Sequence, residues 1–187
     1  MRKSLIWVFV LIFVLLVFGY IKFQYNRLVS MDQKVRSSWA QVENVYQRRN
    51  DLIPNLVEIV KGYAKHEKEL FIQVTQARTK WQDAKTVLEK EKAAGEIENV
   101  ISRLLLVVEN YPVLKASQNF LSLQDELAGT ENRISVERRR YNLAVEEYNR
   151  IARSFPVFIF VKLFGFDREK PYFQATEGSN VPPKITF

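Results

Sequence analysis

An apolar run near the start of the chain is followed by apolar positions at helical spacing. Residues 5–21 contain no charged side chain and no side-chain amide. As an α-helix this run rises about 1.5 Å per residue, which approaches the roughly 30 Å of a bilayer's hydrocarbon core once its flanks are included. The pattern therefore predicts an N-terminal transmembrane anchor. The side chains that mark it are Leu5, Trp7, Phe13, Tyr20 and Ile21.

Two other interpretations compete with an anchor. A cleaved signal peptide would explain the basic start at Arg2 and Lys3, but the run exceeds the usual length of roughly 7–15 residues, and no small-residue cleavage site follows Gly19. A buried core helix would normally keep a polar face, which this run lacks. We therefore predict a single-pass protein of the cell (inner) membrane. Because cations flank both ends of the run, the positive-inside rule leaves the side of the remaining domain open.

Beyond the anchor, apolar positions over residues 35–63 recur at alternating steps of three and four, which is typical of a helix with one buried stripe. The stripe is interrupted at Arg48 and the residues that follow it, just before Pro54. We expect a break near 50–54, either as a kink or as a restarted helix with Asp51 as its N-cap.

Three further helices are predicted downstream. One runs from about Lys65 to Lys90, and Gly95 lies near the next boundary; its inward positions are Leu70, Val74, Ala77, Trp81 and Leu88. Another covers roughly 96–110 and carries the apolar positions Ile97, Val100/Ile101, Leu104 and Val107/Val108. The longest holds a heptad spacing of the coiled-coil type from Phe120 to Phe155.

Strand signals are absent, since the chain has only six glycines and no alternating segments. We predict an all-α fold with an N-terminal transmembrane helix and an antiparallel up-and-down four-helix bundle. The predicted organisation is an anchor at residues 1–24, the bundle at residues 25–156, and an aromatic-rich segment with a C-terminal tail at residues 157–187.

An even number of helices returns the last one toward the membrane. Its end, Phe155–Phe166, is too short to span a bilayer and is rich in phenylalanine. Two interpretations remain open: the segment caps the open end of the bundle, or its aromatic side chains enter the membrane interface. The candidate membrane contacts are Phe158, Phe160, Lys162, Phe164 and Phe166.

The net charge changes the expected partners. The chain carries 28 Lys and Arg against 21 Asp and Glu, a formal charge of +7. Acidic and basic residues alternate along most segments, as on solvated helix faces, whereas a nucleic-acid-binding protein usually concentrates its cations on one face. We expect no nucleic-acid partner. Mild basicity suits an anionic lipid bilayer.

No catalytic or cofactor chemistry is recognisable. The chain has no cysteine, and its single histidine, His66, lacks a second ligand at helical spacing. Neither a glycine-rich phosphate loop nor a serine-nucleophile motif is present. The adjacent Glu146 and Glu147 diverge by about 100° on a helix, so a paired-carboxylate site is not expected. We expect neither an enzyme, nor a metal or cofactor site, nor a small-molecule substrate.

Arg49 is the most informative polar residue. It falls where the apolar stripe predicts a buried side chain, and a buried arginine needs a carboxylate, either Asp51 or one on a facing helix. The candidate interaction or polar layer consists of Trp39, Arg48, Arg49, Asp51 and Asn55.

Several motifs point to a known family. The most specific is the block Arg-Arg-Asn-Asp-Leu-Ile-Pro-Asn-Leu-Val at residues 48–57. Others are Ser38–Val42, Tyr111–Ala116 and Glu131–Ile134. In this order, and over nearly the whole chain, the motifs resemble the LemA family of bacterial membrane proteins. The resemblance implies a short N-terminus, one membrane helix and an antiparallel helical bundle. It implies no established enzymatic activity and no agreed functional residues, so no site is carried over.

The leading functional hypothesis is therefore a non-enzymatic membrane scaffold or adaptor. Its bundle would present helix faces to a partner membrane protein or to copies of itself in a homo-oligomer. The second hypothesis is a lipid-interacting or membrane-remodelling protein that uses Phe155–Phe166.

Overall fold

The computed structural model describes residues 2–64 and 66–174, with the backbone alone for residues 2–5. Within these ranges every regular element is a helix and none is a strand, which confirms the all-α class. The helices are α1 (Arg2–Tyr63), α2 (Lys68–Asp83), α3 (Val87–Val108), α4 (Pro112–Lys115), α5 (Gln118–Ala152) and α6 (Val157–Leu163).

Helix α1 runs without interruption through residues 50–54, so the restarted helix with Asp51 as its N-cap is wrong. Pro54 lies inside the helix. Asp51 is not an N-cap but a mid-helix residue that accepts a hydrogen bond of 2.8 Å from the Gln47 side-chain amide. Proline removes one backbone hydrogen bond, yet Ile53 and Leu56 beside it are fully buried. The burial of these apolar side chains therefore outweighs the local tendency of proline to break the helix.

The next boundary also differs from the prediction. The chain turns at residues 84–86 rather than near Gly95, which lies inside α3. Thr86 accepts a hydrogen bond of 3.2 Å from the Glu89 backbone N–H, and the Glu89 carboxylate accepts one of 3.0 Å from the Thr86 backbone N–H. This capping box fixes the start of α3. Leu88 is consequently 68% exposed in the first turn of α3 and does not point inward.

The described chain divides into two compact units. The first consists of the described parts of Met1–Trp39 and Tyr141–Lys170, and the second of the described parts of Ala40–Arg140 and Pro171–Phe187. Helices α1 and α5 each contribute residues to both units.

The buried apolar residues of the second unit lie mainly on α1, α2, α3 and α5. Rings of Tyr46 and Trp81, with centroids 6.2 Å apart, join α1 to α2, and Ile53 shares an interior region with Val74 and Ile97. In α5 the hydroxyl of buried Thr130 donates to a backbone carbonyl at 2.7 Å, and the helix is unbroken there. The buried apolar positions predicted for α2 and α3 that the structure confirms are Leu70, Val74, Ala77, Trp81, Ile97, Ile101, Leu104 and Val108.

The apolar N-terminal part of α1 belongs to the first unit. Among the described residues, α1 is the one helix long and apolar enough to cross a membrane, and its most apolar stretch is not buried by protein. Trp7, Phe13 and Tyr20 are exposed, whereas Ile21 is half-buried and Leu5 is described by its backbone alone. A helix that exposes this much apolar surface matches a lipid environment, in agreement with a membrane anchor.

Helix α5 confirms most of its predicted stripe. The buried positions are Phe120, Leu123, Leu127, Ile134, Tyr141, Val145, Tyr148 and Ala152. Phe155 is the exception: the prediction that it continues the buried stripe is wrong, because it is 80% exposed. The helix ends at Ala152 and the chain turns before α6, so helical spacing no longer places Phe155 on the buried face.

The capping box yields a test of the α3 boundary. Thr86→Ala should lower the free energy of unfolding by about 1 kcal/mol, because it removes the side-chain acceptor for the first turn. The midpoint of urea unfolding of the full chain in detergent, followed by circular dichroism, measures this. Thr79→Ala is the matched control, since Thr79 is exposed inside α2 and alanine is the better helix former there. Equal losses for both variants would contradict the capping role.

Candidate functional site

The second unit contains a buried ion pair between α1 and α5. Arg49 is 6% exposed, and its guanidinium nitrogen lies 2.7 Å from a Glu131 carboxylate oxygen. Of the two partners open to Arg49 from the sequence, the structure therefore selects one on a facing helix rather than Asp51. Because 43% of the Glu131 side chain is exposed, the acid stays partly hydrated while the cation is enclosed.

A second polar contact joins the same two helices. The Arg138 guanidinium donates a hydrogen bond to the Tyr46 hydroxyl and lies 5.3 Å from the ring centre of Phe173. Burial raises the pKa of the Tyr46 phenol, although the charge of Arg138 opposes it. The phenol is therefore neutral at physiological pH, and the contact ties the chain after α6 to the core of the second unit.

A half-buried lysine connects helix α3 to α1 and α2. The Lys90 ammonium lies 4.0 Å from the ring centre of Trp81 on α2 and 3.7 Å from a carboxylate oxygen of Glu43 on α1. This arrangement combines a cation–π contact with an ion pair. Arg49, Arg138 and Lys90 thus all have partners on other elements of the same unit.

The five residues of the candidate polar layer do not lie together in the structure. Only Arg49 enters the core. Arg48, Asp51 and Asn55 are exposed and share an outer face of α1 through their spacing of three and four residues. Arg48 is paired across that surface with Glu126 at 3.0 Å. Trp39 belongs to the first unit, where its ring contacts that of Tyr141 with centroids 5.5 Å apart.

The first unit has a polar cluster that the sequence reasoning missed. The Lys170 ammonium lies 2.9 Å from an Asp32 carboxylate oxygen and 2.7 Å from one of Asp167. Arg36 binds the other Asp32 oxygen at 2.7 Å. We call Asp32 and Lys170, with the groups that bind them, the clasp. A signal for it exists: Asp32 occupies the α1 stripe between Leu28 and Val35, which are both buried.

Side-chain hydrogen bonds from α5 complete the clasp. The Asn149 amide donates to the Lys170 carbonyl at 3.0 Å, and its oxygen accepts from the Lys170 backbone N–H at 2.7 Å. The Tyr148 hydroxyl donates to the Asp167 carbonyl at 2.6 Å. The chain after α6 is thereby fixed to both α1 and α5.

The electrostatics of the clasp follow from partial burial and close charges. Burial opposes ionisation of Asp32, but the hydrogen bond and charge of Lys170, with those of Arg36, outweigh it and lower the pKa of Asp32. Burial likewise disfavours the charged form of Lys170, but Asp167 and Asp32 prevail and raise the pKa of Lys170. Both groups are charged at neutral pH.

The aromatic segment packs on α1 just beyond the apolar run. The ring of Tyr25 meets that of Phe164 edge-on, with centroids 5.1 Å apart, and lies 6.0 Å from that of Phe166. Gly165 permits this close return because its φ of +75° suits glycine. The Phe166 N–H donates to the Val161 carbonyl and the Gly165 N–H to the Lys162 carbonyl, which is a Schellman motif at the end of α6.

The segment exposes different side chains from those predicted to contact the membrane. Lys162 is exposed, whereas the four predicted aromatic residues Phe158, Phe160, Phe164 and Phe166 are half-buried. The large apolar side chains that face outward are Phe155, Ile159 and Leu163.

Within residues 2–64 and 66–174, the structure shows no group of three or more His, Cys, Asp or Glu side chains placed to hold a metal ion. His66 is exposed in the turn before α2.

Comparison with known proteins adds the following similarities. A model of the LemA family matches residues 38–187. Magnetosome proteins MamQ 1 and MamQ 2 of Paramagnetospirillum magneticum are each 26% identical to the chain, over 85% of it and 68% of the relative. Protein LemA of Metamycoplasma hominis is 26% identical, over 75% of the chain and 67% of the relative.

The clasp predicts a pH-dependent contribution to stability. Asp32→Asn should lower the free energy of unfolding at pH 7 by about 2 kcal/mol, because it leaves the enclosed Lys170 with one carboxylate instead of two. Since the pKa of Asp32 is below its ordinary value of 3.8 in the folded chain, the loss should be constant from about pH 5 to 8 and shrink as pH falls below about 4. Urea unfolding across this range measures it.

Asp125→Asn, at an exposed position of α5, is the control and should show neither the loss nor the pH dependence. A loss for Asp32→Asn that persisted unchanged at pH 2 would contradict the role of the ionised carboxylate.

The Arg49–Glu131 pair predicts an asymmetric mutant cycle. Glu131→Met should cost about 3 kcal/mol of unfolding free energy, because Arg49 is left enclosed without a counter-charge. Arg49→Met should cost about 1 kcal/mol, because the half-exposed Glu131 can hydrate. The double variant should recover most of the loss. Equal losses in the single variants, or no recovery in the double one, would refute this account.

Proposed function

This chain belongs to the LemA family, and from that membership together with its structure we propose that it is a non-enzymatic, membrane-anchored helical scaffold. It works at the cell (inner) membrane. An antiparallel four-helix bundle presents its outer faces to a partner membrane protein or to other copies of the chain. The observation that carries the proposal is that a single helix, α1, contains both the apolar membrane segment and a core-forming part of the second unit.

The continuity of α1 matters because a scaffold must hold its binding face at the membrane. No loop separates the exposed apolar run, which includes Trp7 and Phe13, from residues 40–63 in the second unit. Backbone hydrogen bonds continue from one part to the other. A flexible linker would confine a domain to the membrane without this helical continuity.

The contacts inside the second unit support the bundle. Tyr46 and Trp81 join α1 to α2, Lys80 pairs with Glu96 at 2.7 Å to join α2 to α3, and the Arg49–Glu131 pair joins α1 to α5. The buried polar side chains among these, Tyr46 and Arg49, are therefore engaged in holding helices together. The chemistry available for recognition lies on the outer faces.

The outer face of α1 is the binding face that we propose. It carries Arg48, Asp51 and Asn55 within the block that distinguishes the family motif. The exposed side chains of both charges and an amide suit a hydrogen-bonded protein contact rather than an apolar one. The MamQ relatives are named as magnetosome proteins, and for this chain we infer a role in assembly rather than in catalysis.

Site-specific cross-linking tests the scaffold. The wild-type chain has no cysteine, so Asn55→Cys gives a single label site on the proposed face. In native membranes, a thiol-specific cross-linker should convert this variant into one discrete larger product, of either twice the chain mass or the mass of chain plus one partner. Native mass measurement in nanodiscs should give the same stoichiometry.

Lys92→Cys, at an exposed position of α3, is the matched control and should stay uncross-linked. The additional change Asp51→Lys should weaken cross-linking at residue 55 without unfolding the chain. If neither cysteine variant formed a cross-linked product, and the native mass were that of one chain without a partner, the scaffold proposal would be refuted.

A further inference from the structure

Helix α6 has one buried side and one exposed apolar side. Val157 and Val161 are buried, whereas Ile159 and Leu163 are 52% and 76% exposed. Ile159 and Leu163 are four residues apart and therefore share a helix face. Phe155, in the turn before α6, is the third large exposed apolar side chain of the segment. We call these three residues the outer stripe.

The position of α6 along α1 fixes its depth relative to a bilayer. Phe164, which follows α6 directly, contacts Tyr25. Tyr25 is four residues beyond Ile21, the last residue of the apolar run, which corresponds to about 6 Å along the helix axis. The headgroup layer extends roughly 5–8 Å beyond the hydrocarbon core on each side. The C-terminal end of α6 is therefore held at headgroup depth.

Cations accompany the outer stripe. Lys162 is exposed on α6. Arg153 and Arg168 line a surface cleft of about 320 Å³ with Phe158 and Glu169. The Arg168 guanidinium lies 5.9 Å from the ring centre of Phe158, and Arg153 is 3.6 Å from a Glu169 oxygen, with both partners of that pair mostly exposed. Three cations therefore accompany one acid outside the clasp, Glu169, because Asp167 is engaged by Lys170.

We propose that α6 is a second membrane contact of this chain. The outer stripe, Phe155, Ile159 and Leu163, enters the interface of the bilayer at the surface where α1 emerges. Lys162, Arg153 and Arg168 bind the phosphates of anionic phospholipids. The occupant of this face is lipid because the Tyr25 contact holds the end of α6 at the depth where lipid headgroups lie, and because the adjoining charge is mainly positive.

Fluorescent labelling of the full chain tests the proposal. Ile159→Cys and Leu163→Cys are each labelled with an environment-sensitive dye in nanodiscs that contain phosphatidylcholine and phosphatidylglycerol. Lipids carrying a quencher near the headgroup should quench both labels at least about twofold more than a label at Ser37→Cys. Ser37 is exposed on α1 about 24 Å beyond Ile21, outside the headgroup layer.

Quenching at residues 159 and 163 no greater than at residue 37 would overturn the proposal. Labels that are shielded from water but not quenched by lipid, together with a native mass of two chains, would also overturn it, because the outer stripe would then be covered by a second copy. Circular dichroism of each labelled variant establishes that the helices are intact, which is expected because the substituted side chains are exposed.

A second measurement tests how much of the lipid contact depends on charge. In nanodiscs of phosphatidylcholine alone, quenching at residue 163 should fall by about half relative to the anionic mixture. The double variant Arg153→Gln, Arg168→Gln should reduce quenching in the anionic mixture similarly. Arg139→Gln, at an exposed position of α5 in the second unit, is the control and should not reduce it. Quenching that is independent of lipid charge would overturn the headgroup assignment.

The result is distinguishable from that of the scaffold proposal. Cross-linking at residue 55 reports on the outer face of α1 in the second unit, and lipid quenching at residues 159 and 163 reports on α6 in the first. Either readout can fail while the other holds.

Discussion

The structure depends on a single stripe of buried positions along α1 that includes two charged residues. From Gln24 to Val60 this stripe keeps steps of three or four residues, with half-buried Trp39 between Val35 and Val42, and Asp32 and Arg49 occupy two of its positions. A buried charge without a counter-charge would cost several kcal/mol, so each must meet an ion of opposite sign from elsewhere in the chain. Lys170 meets Asp32 in the first unit, and Glu131 meets Arg49 in the second.

These two pairs fix the register of the elements that pack on α1. Apolar side chains at heptad spacing tolerate a slip of one turn, whereas an ion pair of 2.7 Å between Arg49 and Glu131 does not. The same reasoning applies to the clasp, where Asn149 satisfies both backbone groups of Lys170. The buried polar side chains thus hold the helices in register. The surfaces that we propose for binding are therefore exposed ones, the outer face of α1 and the outer stripe of α6.

The aromatic segment has one side that packs against protein and one side that is exposed. Most of its phenylalanine rings pack against other aromatic rings. Phe164 and Phe166 contact Tyr25, and Phe160 stacks on Phe164 with centroids 6.0 Å apart. The Schellman motif at Gly165 reverses the chain and directs it to the clasp at Lys170. The interpretation as a cap and the interpretation as a membrane contact, which the sequence left open, therefore concern opposite faces of α6 and are compatible.

The sequence by itself determined the apolar segment, the helical class, the family and most buried positions, because each depends on local periodicity or composition. It also placed Arg49 in the buried stripe. The tertiary structure alone decided that α1 passes through Pro54, since burial of Ile53 and Leu56 outweighs a lost hydrogen bond. It also decided the partners of Asp32 and Arg49 and the exposure of Phe155, Ile159 and Leu163. Those outcomes depend on which residues distant in sequence meet, and periodicity along one helix does not specify that.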